Sequence, residues 1–308
     1  MMATIVLGTR GSELARAQAR LVEKAIQPGW PESKIDTKII ATKGDETRLV
    51  DLRSGRKGLF TAEIERALLT GRVDVAVHSA KDLPSETNPG TEIAAVLPRA
   101  PTDDVLVSKQ PGGFAALVEG ATIATGSVRR NHQLRWKRPD LKIVDLRGNV
   151  PTRLRKLAGN DWDAIVLARA GLERLSLSPA RSEIDFEGWH FSVELLPREI
   201  FLPAGGQGII ALQIRVGDDS VKAIVDLANN RETLLCLCAE REFLRLLQGD
   251  CNSPVGVLAT IENGMLKIRA QIFEPGSRSP REGKVEGAQD DGERLAAQLL
   301  RQISGEQE

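Results

Sequence analysis

Hydrophobic and polar positions over the first two thirds of the chain alternate between strand-like and helix-like patterns. Short apolar runs, typical of buried strands, are separated by segments in which apolar residues recur every three or four positions. This βαβ rhythm predicts an α/β fold with largely parallel sheets. The predicted strands are 5–7, 34–41, 73–78, 122–125, 142–146, 164–167 and 209–214, and the predicted helices are 12–27, 61–69, 127–137 and 150–158.

Two proline-containing breaks divide this α/β part of the chain. The first lies at 98–101 and the second near 196–198. The strand at 209–214 follows the second break, and we expect it to return to the sheet of the first unit. Two such crossings between two α/β units predict a hinged pair with a ligand cleft between them.

The pattern changes over the last third of the chain. A long helix is predicted at 231–247, and an amphipathic helix is predicted at 291–303. Between them, alternating strands at 255–261 and 265–273 flank Asn263-Gly264, and Asn-Gly in that position is a strong hairpin signal. These elements predict a small α+β domain.

Composition excludes several classes of protein. The 308 residues include 42 basic and 42 acidic side chains, so an extended basic face for nucleic acid is not expected. No run approaches the roughly 18 apolar residues of a membrane helix. The first ten residues resemble a strand more than an export signal, so a cytoplasmic location is expected.

The sparse cysteines and histidines narrow the chemistry further. Three cysteines argue against a disulfide scaffold and fit a reducing compartment. Three widely separated histidines make a Cys/His metal site improbable, so no metal is expected. Cys236 and Cys238 fall within the predicted helix at 231–247 and are expected to be core residues.

Four polar motifs follow predicted strands, at 9–12, 78–82, 125–130 and 146–149. Each combines a hydroxyl or a helix N-terminus with Arg or Lys, which is the chemistry of anion capture. Together they indicate a cleft for a ligand with several carboxylates or phosphates. No nucleotide-binding glycine motif is present. Their serines could instead serve only as helix caps, and a lone arginine is usually solvated.

Two further residues suggest chemistry. Asp82 is a carboxylate among cations, so it could stabilise a developing positive charge or move a proton. It could equally form an ion pair with Lys81 or cap a helix. Cys251 lies in a predicted loop between a helix and a strand, where a thiol can be reached.

These motifs together resemble the porphobilinogen deaminase (hydroxymethylbilane synthase) family over essentially the whole chain. The resemblance is specific because it covers five separate blocks of family residues. The matching segments are 77–84 for the family's H-S-x-K-D-x-P block, 125–134 for T-x-S-x-R-R-x-x-Q-L, 146–154 for L-R-G-N-V-x-T-R-L, 202–208 for L-P-A-x-G-Q-G, and 240–256 for the cofactor-attachment signature.

The resemblance implies two domains like type II periplasmic binding proteins around a hinged cleft, with a small C-terminal α+β domain. Domain 1, at 1–98 and 198–216, is expected to carry the catalytic aspartate. Domain 2, at 102–194, would provide the Arg-rich carboxylate binding, and domain 3, at 218–308, the attachment cysteine. The family is expected to be monomeric and cytoplasmic, with no nucleic-acid or membrane partner.

The implied activity is that of a transferase of tetrapyrrole (heme) biosynthesis. It joins four porphobilinogen molecules head to tail, releases ammonia each time, and passes the linear product, hydroxymethylbilane, to the next enzyme of the pathway. One dipyrromethane per chain, held by a thioether to Cys251, primes the reaction, and Asp82 is the catalytic residue. The positions implied to bind acetate and propionate groups are Arg10, Ser12, Lys57, Ser79, Lys81, Thr125, Ser127, Arg129, Arg130, Arg147, Arg153 and Arg174.

Three positions depart from the family pattern. Ser253 replaces a β-branched residue, Gly126 replaces a serine, and Asp250 stands where a small residue is usual. A carboxylate beside Cys251 disfavours the thiolate, so slow cofactor attachment is expected.

Two other functions remain open at this point. One is a non-catalytic carboxylate-binding module of the solute-receptor type, and a more distant one is a phosphoribosyl-type transferase. The third domain with its cysteine argues against the receptor, as does the expected lack of an export segment. The absence of an acidic diphosphate-binding motif argues against the phosphoribosyl-type transferase.

Overall fold

The computed structural model describes residues 4–32, 34–42, 61–177, 182–248, 253–274 and 276–305. The predictions for Lys57, Asp250 and Cys251 lie outside these ranges. The strands are β1 (Thr4–Thr9), β2 (Lys34–Ile39), β3 (Val75–Ser79), β4 (Thr91–Val96), β5 (Asp104–Ser108), β6 (Thr122–Ala124), β7 (Lys142–Val144), β8 (Ala164–Ala168), β9 (Glu183–Phe186), β10 (Trp189–Leu195), β11 (Ile210–Arg215), β12 (Val255–Glu262), β13 (Met265–Ile272) and β14 (Arg281–Ala288).

The helices alternate with these strands, as the sequence pattern predicted. Ser12, Ser127 and Asn149 cap three of them, since each side chain accepts a hydrogen bond from a backbone N–H of the first helical turn. The α-helices are α1 (Glu13–Ile26), α2 (Ala62–Leu69), α3 (Gly113–Ala116), α4 (Val128–Lys137), α5 (Val150–Gly159), α6 (Arg169–Arg174), α7 (Asp219–Val225), α8 (Arg231–Leu246) and α9 (Gly292–Ser304).

The strands of the described ranges form three sheets. The first has the order β2-β1-β3-β11-β4, the second β7-β6-β8-β5-β10-β9, and the third β12-β13-β14. In the first sheet β1 is parallel to β2 and β3, whereas β11 is antiparallel to both of its neighbours. In the second sheet β6 is parallel to β7 and β8, whereas β5 is antiparallel to both of its neighbours. The α/β class is therefore confirmed, but the sheets are mixed.

The antiparallel strand has the same origin in both sheets. β5 follows the crossing from the first sheet to the second, and β11 follows the crossing back. β11 enters between β3 and β4, and β5 enters between β8 and β10. The first five strands of the two sheets therefore follow one order, and β9 extends the second sheet beyond β10. The predicted return of 209–214 to the first sheet is confirmed, because β11 pairs with β3 and β4.

The third sheet and two helices form the small α+β part. The hairpin predicted at Asn263-Gly264 joins β12 and β13, and both of these residues have positive φ. α8 and α9 pack on the sheet around Phe243, Leu266 and Leu299. α9 lies so close to β14 that a Cβ on Gly283 would meet Ile303 Cγ1 at 2.7 Å.

Candidate active site

The predicted site residues follow the carboxyl ends of parallel strands in both sheets. Arg10 and Ser12 follow β1, and Ser79 ends β3. Thr125 and Ser127 come directly after β6 in the second sheet. Since parallel strands end at one edge, each sheet gathers its polar motifs at a single edge.

The two sheets bring cations and one carboxylate close together. Asp82, from the first sheet, lies near enough to Arg153 to raise its pKa, and Arg153 in turn lowers the pKa of Lys81. Arg130, from the second sheet, lowers the pKa of both Lys81 and Arg153. The structure therefore joins residues 81, 82, 130 and 153 into one electrostatic cluster.

Asp82 lies half-buried on a short 3-10 turn, Ala80–Asp82. Within the described ranges its side chain has no hydrogen bond and no ion pair. Ser79, not Asp82, occupies the cap position of this turn. The two structural alternatives for Asp82, a direct ion pair with Lys81 and a helix cap, are therefore not observed. Its carboxylate is left available to a ligand.

Burial disfavours the positive charge of the cations around Asp82, and their lowered pKa values reflect this. Burial lowers the pKa of Lys81 to about 8, although the carboxylate of Asp82 acts in the opposite direction. Burial likewise lowers the pKa of Arg153 to about 10. The pKa of Arg174 is also lowered to about 10 by burial, and its Nη2 donates to the Gly208 carbonyl at 2.6 Å. A ligand with several negative charges would relieve this excess of positive charge.

Arg129 and Arg130 are almost completely enclosed and share a counter-ion. Their side chains are buried, and both donate to the fully buried Asp104, at 2.9 Å and 2.7 Å. Arg129 also donates to the Leu202 carbonyl, and Arg130 to the Val166 carbonyl. Burial alone would raise the pKa of the Asp104 carboxyl, but the two guanidiniums hold it well below its usual range. Sequence reasoning missed Asp104.

Both arginines keep unused donors. In the described part of the chain, the Nε atoms of Arg129 and Arg130 are buried without a hydrogen-bond partner, and so is Oε1 of Gln207. A buried guanidinium N–H normally has an acceptor. The pair therefore combines an internal anchor at Asp104 with donors that remain for an anionic ligand.

The predicted hydroxyl groups have mixed roles. Ser12 accepts from Ala15 N at 3.3 Å and Ser127 accepts from Arg130 N at 3.4 Å. Both serines therefore cap helices, which is the alternative role that the sequence left open for them. The oxygen of Thr125 accepts from the backbone N–H of Ser127 at 3.2 Å. Accepting a bond leaves each O–H able to donate to a ligand. Ser79 is not a side-chain cap, because it accepts instead from Gln18 Nε2 at 2.7 Å.

Arg147 borders the cluster beside its member Arg153. Arg147 is exposed and pairs with Asp145 at 2.8 Å, and Arg153 donates from Nε to the Gly148 carbonyl at 2.7 Å. Burial lowers the pKa of His78 to about 4, opposed by its hydrogen bond to Gln213, and the nearby Arg10 lowers it further.

A side chain of α8 bonds the third sheet and the two segments in which the chain crosses between the first and second sheets. The fully buried Glu240 accepts from Arg99 at 2.6 Å, from Gly206 N at 2.6 Å and from Ala259 N at 2.7 Å. Of the two cysteines on α8, Cys236 is buried and Cys238 is exposed. The prediction that Cys238 belongs to the core is wrong.

Comparisons with known proteins give one family for the whole chain. Residues 5–223 match the family model "Porphobilinogen deaminase, dipyromethane cofactor binding domain", and residues 234–301 match "Porphobilinogen deaminase, C-terminal domain". A porphobilinogen deaminase of Syntrophomonas wolfei subsp. wolfei is 43% identical over 306 residues, with 98% of this chain and 96% of that protein covered. A porphobilinogen deaminase of Moorella thermoacetica is 42% identical over 310 residues, with 99% and 96% covered.

A solved structure, that of the methionine-binding protein MetQ, matches with a TM-score of 0.46 at 13% identity, over 75% of this chain and 92% of that one. In the described ranges no helix is long and apolar enough to cross a membrane. The same ranges hold no group of three or more His, Cys, Asp or Glu side chains that could bind a metal ion.

Proposed function

Because the chain belongs to the porphobilinogen deaminase family, we propose that Asp82 is its catalytic residue and that the surrounding cations bind the acidic groups of substrate and cofactor. The activity is that of a transferase of tetrapyrrole biosynthesis. Four molecules of porphobilinogen are condensed head to tail, with release of ammonia, to hydroxymethylbilane, and a covalently bound dipyrromethane primes the reaction. The solute-receptor alternative is not favoured.

The observation that carries the assignment is the Asp82 carboxylate, which has no partner among the described residues and belongs to one charge cluster with Lys81, Arg130 and Arg153. Porphobilinogen carries an acetate and a propionate, and its ring becomes positively charged as ammonia leaves. Asp82 stabilises that charge and accepts hydrogen bonds or a proton from the pyrrole nitrogen. The cations bind the carboxylates and hold the ring against Asp82.

The donor set fits a cofactor that bears carboxylates. Arg129 and Arg130 each have a buried Nε without a partner among the described residues, and burial disfavours the charge of Lys81 and Arg153. When bound, dipyrromethane supplies the pyrrole carbon to which the first substrate ring is joined. The carboxylate-binding residues we propose are Arg10, Ser12, Lys57, Ser79, Lys81, Thr125, Ser127, Arg129, Arg130, Arg147, Arg153 and Arg174.

The attachment point and the larger organisation belong to the same proposal. Cys251 forms the thioether, one per chain. Domain 1 comprises 1–98 and 198–216, domain 2 comprises 102–194, and domain 3 comprises 218–308. The two crossings in the observed topology support this division. The enzyme works as a cytoplasmic monomer and passes its product to the next enzyme of the pathway.

The test combines mass and turnover. Intact-protein mass spectrometry should show the mass of the chain plus one dipyrromethane, and the chain alone for Cys251→Ser. Asp82→Asn should keep the added mass and the circular dichroism spectrum but lose on the order of 100-fold or more in turnover. Asp36→Asn, at an exposed pair with Lys34, is the matched control and should turn over normally. Near-normal turnover of Asp82→Asn would refute the catalytic role.

A further inference from the structure

The position of Asp82 depends on the backbone that carries it. Its side chain has no hydrogen bond or ion pair to any described residue, so nothing holds the carboxylate directly. The 3-10 turn is anchored on its upstream side, where Ala80 N donates to the Ile209 carbonyl at 3.0 Å. Downstream of Leu83 the chain leaves the sheet and does not form another strand until β4 begins at Thr91.

One side chain of α8 bonds this downstream segment. Arg241 Nη2 donates to the Ser85 carbonyl at 3.2 Å and to Thr87 Oγ1 at 3.0 Å. Within the described part of the chain, no other hydrogen bond fastens residues 84–87. The segment that follows Asp82 is therefore fastened to a helix of the third domain.

Arg241 belongs to a face of α8 that is turned toward this part of the first domain. Leu234 and Leu237 precede it by seven and four positions, which places all three on one side of the helix. Leu237 packs in a cluster with Ala80, the first residue of the turn, and Leu83, the residue that follows it. The opposite face of α8, with Cys236, Ala239 and Phe243, packs on the third sheet instead.

The guanidinium of Arg241 donates its hydrogen bonds to uncharged acceptors, a carbonyl and a hydroxyl oxygen. It is half-buried, and no ion pair joins it to a carboxylate in the ranges that the structure describes. Burial lowers its pKa, because its charge is drawn into the protein. One turn later on the same helix, Arg245 is exposed, and among the described residues its one ion pair is with Glu242 of α8. Glu86 and Glu293 lie near enough to raise its pKa further, but neither forms an ion pair with it in those residues. Unlike Arg245, Arg241 therefore binds a segment outside its own helix, at Ser85 and Thr87.

We propose that Arg241 is a positioning residue, which holds the Asp82 turn against α8 through the Ser85 carbonyl and Thr87. This inference rests on the proposed function, since it concerns the placement of its catalytic carboxylate. A displacement of about 1 Å at a reacting group can cost on the order of 100-fold in rate. Loosening this anchor therefore reduces kcat and leaves carboxylate binding, which uses other residues, intact.

The experiment compares three variants of the full chain isolated with its cofactor. Arg241→Met removes both hydrogen bonds and keeps the packing volume. Arg241→Lys keeps the charge and one donor group. Arg245→Met removes an equal charge from the same helix and is the control. For each, kcat and KM for porphobilinogen, intact mass, and hydrogen–deuterium exchange of peptides covering 80–90 are measured.

We expect Arg241→Met to lose about ten- to one-hundredfold in kcat, with KM changed by less than about threefold and the cofactor mass retained. The amides of Ala80 and Leu83, which donate to the Ile209 and Ala80 carbonyls, should exchange at least about tenfold faster. Arg241→Lys should recover part of both effects, and Arg245→Met should match wild type. Thr87→Val removes the hydroxyl that accepts from Arg241 and should likewise accelerate exchange in the peptides covering 80–90.

Three results would overturn the proposal. One is unchanged exchange of the Ala80 and Leu83 amides in Arg241→Met, another is an equal loss of kcat in Arg245→Met, and the third is a loss of activity explained by a missing cofactor mass. If wild type itself releases no ammonia from porphobilinogen, the proposed function fails. The exchange data then still decide whether Arg241 fastens the segment.

Discussion

Replacing Asp104 with Asn should lower the free energy of unfolding more than a substitution at an exposed ion pair does. Asp104 is the first residue of β5 and accepts hydrogen bonds from Arg129, Arg130 and Gln207. Asparagine has the same shape but no charge. It would leave two guanidiniums, each about 5% exposed, without a negative partner.

The size of the effect follows from this burial. Removing one partner of a buried ion pair typically costs about 3–5 kcal/mol, because the other charge is left uncompensated. Here one carboxylate serves two cations, and the Asn amide would also point a donor at one of them. We therefore expect a loss of at least about 4 kcal/mol in the free energy of unfolding. With an m value of about 3 kcal/mol/M in urea, the midpoint should fall by about 1.3 M.

The assay is urea unfolding followed by tryptophan fluorescence at several pH values. Because the pKa of folded Asp104 is held below its usual range, its contribution is present above the unfolded pKa of about 3.9 and is lost as pH falls toward the folded pKa. The difference between wild type and Asp104→Asn should thus be constant from about pH 8 to 5 and shrink below about pH 4.

The control is Glu187→Gln, which breaks an exposed pair with Arg155 and should cost less than about 1 kcal/mol. A midpoint shift for Asp104→Asn no larger than that of the control, about 0.3 M, would contradict the reasoning. So would a difference that stays constant down to pH 3, since the charge of Asp104 would then not be its source.

Three further predictions concern other parts of the molecule. Since burial lowers the pKa of Lys81 to about 8, substrate affinity, read as 1/KM, should fall as pH rises through about 8, and Lys81→Arg should move that fall to higher pH. Glu240→Gln leaves Arg99 without its buried counter-ion and should reduce the free energy of unfolding by about 3–5 kcal/mol in urea denaturation, against less than about 1 kcal/mol for Glu242→Gln on the same helix. Gly283→Val should cost about 1–3 kcal/mol in the same assay, because its side chain would collide with α9.

The sequence predicted several elements whose apolar pattern is strong, but it missed β5, which is buried along its whole length. The strands 73–78 and 164–167 were recognisable because they are buried on both faces. β14 was missed because it lies at the edge of the third sheet and its exposed and half-buried positions alternate among charged residues. The burial of Cys238 was mispredicted because residues two apart on a helix point about 200° from each other, so they do not share the face that buries Cys236.

The site was predictable in its residue types and not in its internal pairing. Family motifs pointed to the cluster around Asp82, and the structure brings several of its members together. Asp104 carried no comparable signal, since a charged residue before an apolar strand is usually a solvated one. Arg129 and Arg130 were read as ligand-binding residues, and only the tertiary structure shows that both also neutralise a buried carboxylate.

The exchange of strands between the two α/β sheets has a consequence for synthesis on the ribosome. The second sheet is built from one uninterrupted stretch, β5 to β10, and can close as soon as that stretch emerges. The first sheet has to wait for β11, because Ile210–Arg215 lies between β3 and β4. The half of the enzyme that is translated first is therefore expected to finish folding after its neighbour, and a chain truncated before residue 210 would leave β3 and β4 without the strand that joins them.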